Sequence, residues 1–137
     1  MKKLKLLIIG SNFGKYHLNA SIKSKKFDKI IISSPNILKK KLPKKIYKLK
    51  NFKIPLKNCK IDMITIATKP KIQNNVLKYL LLNKIFPKYI FLEKPLLKES
   101  ISIIKKFPKK SHILTNFIFL FSKKWKIFQK KIINFNN

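Results

Sequence analysis

The sequence predicts an α/β fold of three layers, with helices covering both faces of a mainly parallel sheet. Three observations carry this reading. Short apolar runs recur at Leu4–Ile9, Ile30–Ile32, Ile61–Thr68, Tyr89–Leu92 and Ile113–Leu120. They are too short for helices, and the first of them, broken only by Lys5, is apolar along its length rather than at every second residue, as a strand buried on both faces must be. Segments of about ten residues with apolar positions at helical spacing lie between them, the signature of βαβ units.

Each element follows in order. Leu4–Ile9 is the first strand and stops at Gly10. Tyr16–Lys26 is predicted as a helix, with Tyr16, Ala20 and Ile22 apolar among polar neighbours. Ile30–Ile32 is a second buried strand that ends at Ser33-Ser34-Pro35. The Lys-rich segment Asn36–Asn51 carries Leu38, Leu42, Ile46 and Leu49 three or four residues apart, which predicts a helix interrupted or restarted at Pro43. A short strand is expected at Phe52–Ile54. Ile61–Thr68 is the third clear strand, and a turn at Lys69-Pro70 leads to a helix over Ile72–Lys84 with the stripe Val76, Leu77, Leu80 and Leu81. Tyr89–Leu92 is a strand, Glu99–Lys106 a helix, Ile113–Leu120 a last strand and Lys123–Ile133 a final helix.

Composition narrows the function classes. The 137 residues are 45% hydrophobic, enough for one domain with a real core. The longest apolar runs fall far short of the ~20 residues that span a bilayer, and Leu6–Ile9 is too short for a signal-peptide core. A cytoplasmic protein with no membrane partner is expected. The single Cys59 has no internal disulfide partner and no metal-ligand spacing around it, so it is read as a small buried or half-buried hydrophobe, and no metal is expected. His17 and His112 are isolated in sequence and are assigned to a helix face and a loop.

The formal net charge of +30 raises a nucleic-acid reading. All 34 basic residues are Lys, however, whereas base and phosphate recognition favours the Arg fork. The lysines run the whole length of the chain. Lys, Ile and Asn, which have A/T-rich codons, supply about half of it, and Gly is held to two residues. Genomic base composition therefore accounts for the charge, and the nucleic-acid binding expected is non-specific attraction.

Those two glycines stand in one turn, Gly10-Ser11-Asn12-Phe13-Gly14, between the first strand and the first helix. In a dinucleotide-binding turn the first Gly makes the bend, the second admits the phosphate and the last lets helix and strand touch. Gly10 and Gly14 can serve as first and last. Asn12 stands between them, and Asn is the non-Gly residue that best tolerates a positive φ. The turn is one residue shorter than G-x-G-x-x-G, and a merely tight βα turn is the competing reading.

A second set of residues bears on that choice. Ala67-Thr68-Lys69-Pro70 closes one strand and Glu93-Lys94-Pro95 closes the next, with a helix between. The segment Ile61–Leu96 resembles the glucose–fructose oxidoreductase / inositol dehydrogenase (Gfo/Idh/MocA) family, in which a strand ending A-T-x-P, a helix and a strand ending E-K-P follow in that order. Gly10–Leu18 matches the same family, His17 included, and its compressed glycine loop is similar to that of the thiazolinyl imide reductase branch. The resemblance covers Lys3 to Ser122 and implies a Rossmann-type domain binding NAD or NADP.

Carried over residue by residue, it implies that Gly10, Ser11, Asn12, Phe13 and Gly14 line the pyrophosphate. Thr68 and Pro70 would border the nicotinamide. Glu93 and Lys94 would face nicotinamide and substrate, Lys94 polarising or protonating the reacting oxygen. Gln73 occupies a helix position where the family often has His. After the second strand, Ser33 and Ser34 stand where NAD-binding relatives place an acid, and Lys39–Lys41 follow. Hydroxyls with nearby cations suit a 2′-phosphate, so NADP is slightly favoured. The resemblance divides the chain into a dinucleotide-binding domain over 1–122 and, over 123–137, the truncated start of a C-terminal substrate domain. The expected function is the cofactor half of an oxidoreductase acting on a sugar-, polyol- or imine-like substrate, incomplete as a catalyst without a second domain or subunit. The alternatives are a non-catalytic nucleotide-binding or scaffolding protein and, more weakly, a basic nucleic-acid-associated protein.

Overall fold

The computed structural model describes residues 4–39, 41–43 and 46–115. The chain runs β1 (Leu4–Ile9), α1 (Gly14–Ser24), β2 (Phe27–Ser33), a single 3-10 turn (Ile37–Lys39), β3 (Ile46–Leu49), α2 (Lys53–Asn58), β4 (Met63–Ile66), α3 (Pro70–Leu82), β5 (Tyr89–Leu92), α4 (Lys98–Ile104) and β6 (His112–Thr115). The six strands form one sheet in the order β3-β2-β1-β4-β5-β6. Every pairing is parallel, so the sheet is wholly rather than mainly parallel. Sequence order reverses at the β1–β4 seam, where Leu6 pairs with Met63 and Ile9 with Ile66.

Alternation along β1 explains its unbroken apolar run. Leu7 and Ile9 join a large core with Ile64, Ile66, Ile90 and Leu92, against Val76, Leu77 and Leu80 of α3 and Ile103 of α4. Leu6 and Ile8 join a smaller core on the opposite face, with Ile30, Ile32 and Leu18 of α1. Both faces of the central strand are sealed, as the three-layer reading requires. β1, β4 and β5 stand within the strands expected, β2 lengthens to Phe27–Ser33, and α3 and α4 each begin a residue or two earlier than predicted.

Two elements differ from expectation. The helix predicted over Asn36–Asn51 is instead the 3-10 turn and β3. Pro43 supplies no N–H, and its carbonyl accepts the Ile46 N–H at 3.0 Å where β3 begins. From Ile46 to Leu49 the backbone then pairs with Ile30–Ser33, closing an edge of β2 that a helix would leave open. Leu38, part of the predicted stripe, is 51% exposed. The strand expected at Phe52–Ile54 is helix α2. Asn51 Oδ1 accepts the Lys53 N–H at 2.9 Å and starts the helix, and Pro55 falls in its first turn, where a missing N–H costs little.

Further corrections concern faces. On α1 the buried residues are Gly14 and Leu18, one turn apart, whereas Tyr16, Ala20 and Ile22 are exposed. His112 opens β6 rather than lying in a loop, and its ring stacks on Tyr89 with centroids 5.7 Å apart. Cys59 is half-buried, as read from the sequence, and its thiol donates to the Pro55 carbonyl. The last strand is described only to Thr115. The predicted continuation to Leu120 and the final helix at Lys123–Ile133 lie outside the described residues.

Candidate functional site

The residues assigned to the cofactor site by the resemblance lie at or just beyond the carboxyl ends of β1, β2, β4 and β5. Backbone bonds extend the ladder there: Gly10 N–H to the Ser33 carbonyl at 2.8 Å, Ala67 N–H to Ile9 at 2.8 Å and Glu93 N–H to Ile66 at 3.3 Å. This edge, at the point where strand order reverses, is where open α/β sheets place their ligands.

Gly10 is glycine for two reasons. Its φ is +101°, and a Cβ there would lie 2.2 Å from the Ala67 carbonyl oxygen and 2.9 Å from Thr68 Cγ2. β1 therefore turns against the end of β4 with no space for a side chain. At Gly14 a Cβ would stand 2.9 Å from Ile8 Cγ2, so this glycine sets the close approach of α1 to β1. Phe13 precedes the helix without a side-chain cap, and the first turn of α1 carries no acidic residue. The positive end of the helix dipole therefore meets no carboxylate of its own.

Around the turn, Ser11 Oγ donates to Ser34 Oγ at 3.1 Å and ties the glycine loop to the end of β2. Ser33 is buried and contributes through its carbonyl, whereas Ser34 is half-exposed. Asn12 is exposed, as is the ring of Phe13. The Thr68 hydroxyl is buried with no hydrogen-bond partner, and Pro70 opens α3. These features fit a dinucleotide: a turn whose first position admits only glycine, a helix end lacking acid, and an orphaned hydroxyl at the same sheet edge. Among the described residues no group of three or more His, Cys, Asp or Glu could hold a metal ion, and no helix is long and apolar enough to cross a membrane.

The acidic side of the site holds a contact that sequence reading missed. His17 Nε2 donates to Glu93 Oε1 at 2.6 Å, and the imidazole meets Phe91 edge-on at 5.1 Å. Gln73, almost wholly buried, donates from Nε2 to the Glu93 carbonyl at 2.7 Å. Lys94 follows, exposed, and its peptide to Pro95 is cis. His17 is thus on a helix face, as read, but turned to the site rather than isolated. Its place three residues after Gly14 was the available signal.

The sequence profile of the Gfo/Idh/MocA oxidoreductases, described as an NAD-binding Rossmann fold, matches residues 4–117. The chain belongs to this family.

Solved structures share the fold. The chain is similar to myo-inositol 2-dehydrogenase from Lactobacillus plantarum at 19% identity and a TM-score of 0.76, covering 97% of this chain and 42% of that one. It is similar to the WlbA dehydrogenase from Bordetella pertussis, solved with NADH and UDP-GlcNAcA, at 12% identity and a TM-score of 0.79, covering 97% and 43%. A probable dehydrogenase from Thermotoga maritima matches at 19% identity and a TM-score of 0.72, covering 96% and 41%. The Gfo/Idh/MocA chain described here therefore spans about two fifths of the length of these structures. No curated protein matches it significantly.

Proposed function

We propose that this chain is the cofactor-holding part of an oxidoreductase that acts on a sugar-, polyol- or imine-like substrate. One observation carries the reading: Gly10, at φ +101° and without room for a Cβ, bends the chain from β1 into a helix whose first turn has no acid. A pyrophosphate set there meets backbone N–H groups and the positive helix end. In this reading Gly10, Ser11, Asn12, Phe13 and Gly14 hold the pyrophosphate. Thr68 and Pro70 border the nicotinamide, and the orphaned Thr68 hydroxyl gains a partner. A nicotinamide dinucleotide supplies hydride exchange when bound. Glu93 and Lys94 provide a carboxylate and a cation at the same edge, where Lys94 is exposed and a second surface would complete the site around the substrate. That surface, the substrate contacts and the activity of the whole enzyme belong to this proposal.

The finer reading is a preference for NADP. Residues 33–36 offer Ser, Ser, Pro and Asn but no carboxylate, Lys39 follows on the 3-10 turn, and Ser34 is already bonded to the glycine loop. A 2′-phosphate accepts hydrogen bonds from hydroxyls and is attracted by lysines, whereas an acid would repel it. Fluorescence titration with NADPH and NADH tests both levels. The unmutated protein is expected to bind NADPH more tightly, and Ser34→Asp to lose that preference by ~10-fold or more through like-charge repulsion. No binding of either cofactor at millimolar concentration would end the cofactor reading, and tighter binding of NADH would end the NADP reading alone.

A further inference from the structure

The chain has four acidic residues against 34 basic ones, and their placement is informative. Asp62 lies at the opposite edge of the sheet, accepting the Lys5 N–H at 2.9 Å. Asp28 is exposed early in β2, and Glu99 sits in the first turn of α4. Of the four, Glu93 stands at the carboxyl edge, and side chains from two helices hold it. α3 holds its backbone through Gln73 from the face of the large core, while α1 holds its carboxylate through His17 from the other face. Residues 91 and 93 alternate with the core residues Ile90 and Leu92, which directs Phe91 and Glu93 to the side where the imidazole meets both. The paired side chains are 19% and 15% exposed, so water only partly screens the charge. A carboxylate only accepts, so the hydrogen of this bond is carried on His17 Nε2.

We propose that His17 is a positioning residue. By holding the Glu93 carboxylate it fixes a negative charge at the nicotinamide end of the site and sets the preference for the oxidised over the reduced cofactor. The proposal rests on the cofactor reading above. An oxidised nicotinamide ring carries a positive charge that the reduced ring lacks, so a fixed carboxylate favours the oxidised form, and one free to turn toward water does so less.

The test is calorimetric titration with oxidised and reduced cofactor. His17→Phe keeps an aromatic ring against Phe91 but removes the donor. It is expected to cut the oxidised-to-reduced affinity ratio by about 10-fold, the effect of one charge-assisted hydrogen bond. His17→Gln, which can still donate, should restore most of the ratio. Glu93→Gln should lower the ratio as His17→Phe does, and the double variant should lower it no further. A packing role for His17 would weaken both forms together and lower the melting temperature, leaving the ratio unchanged, and that result would overturn the proposal. Unaltered binding in His17→Phe would do the same. If the unmutated protein binds neither form, the cofactor reading itself falls and this proposal with it.

Discussion

Replacing Gly10 by alanine tests the geometry of the turn without any cofactor present. The added methyl meets two obstacles at once. A φ of +101° is strained for an L side chain, at roughly 1–3 kcal/mol. The Cβ also lies 2.2 Å from the Ala67 carbonyl oxygen, a backbone atom that moves only if the end of β4 moves. The bond from Ala67 N–H to Ile9 would open with it, and overpacking of this kind adds about 1–3 kcal/mol. Together the cost is about 4 kcal/mol, a large part of the roughly 5–15 kcal/mol that keeps a domain folded. At about 4 °C per kcal/mol for a chain of this size, the melting temperature should fall by about 15 °C. Gly14→Ala is the internal control. Its φ is not in the left-handed region and its methyl is tight only against Ile8 Cγ2, a side-chain atom that can give way, so a smaller loss is expected. Thermal and urea unfolding followed by circular dichroism, without ligand, would give both values. A Gly10→Ala protein melting within about 2 °C of the unmutated one would show that the turn has space this reasoning denies it.

Other outcomes follow from the core and the charge. Leu77, wholly buried between α3 and the sheet, should cost about 3 kcal/mol when cut to alanine, measured as a lower urea midpoint at an unchanged slope. Binding to DNA should be independent of sequence and should collapse as salt rises, checked by fluorescence anisotropy on two unrelated duplexes. A sequence preference surviving at ~0.2 M salt would restore a nucleic-acid role.

The parallel sheet was legible because its central strands are apolar on both faces, a pattern that only double burial explains. β1, β4 and β5 stand within the runs that revealed them. The region from Asn36 to Asn58 was not legible, because its spacing of three and four residues joined positions belonging to different elements. Leu38 is exposed beside a 3-10 turn, and Ile46 is buried in an edge strand. What makes Ile46–Leu49 a strand is the open edge of β2, a tertiary demand that local spacing does not record. The glycine turn could be read because backbone constraint leaves a trace in residue type. The His17–Glu93 bond left a fainter one, since its partners are 76 residues apart and only the fold brings them together.

The position of β1 at the middle of the sheet has a consequence during synthesis. As it leaves the ribosome, β1 has one neighbour nearby in the chain, β2, but its other side waits for β4. Lys5 finds Asp62 across that seam 57 residues later. At about 5–20 residues per second, Leu6–Ile9 therefore spends several seconds with one side unpaired and its apolar residues uncovered, the condition in which nascent chains associate. Lys5 lies within that strand, and lysines follow throughout the segment synthesised before β4. Charge repulsion between neighbouring unfinished chains opposes their association during this interval.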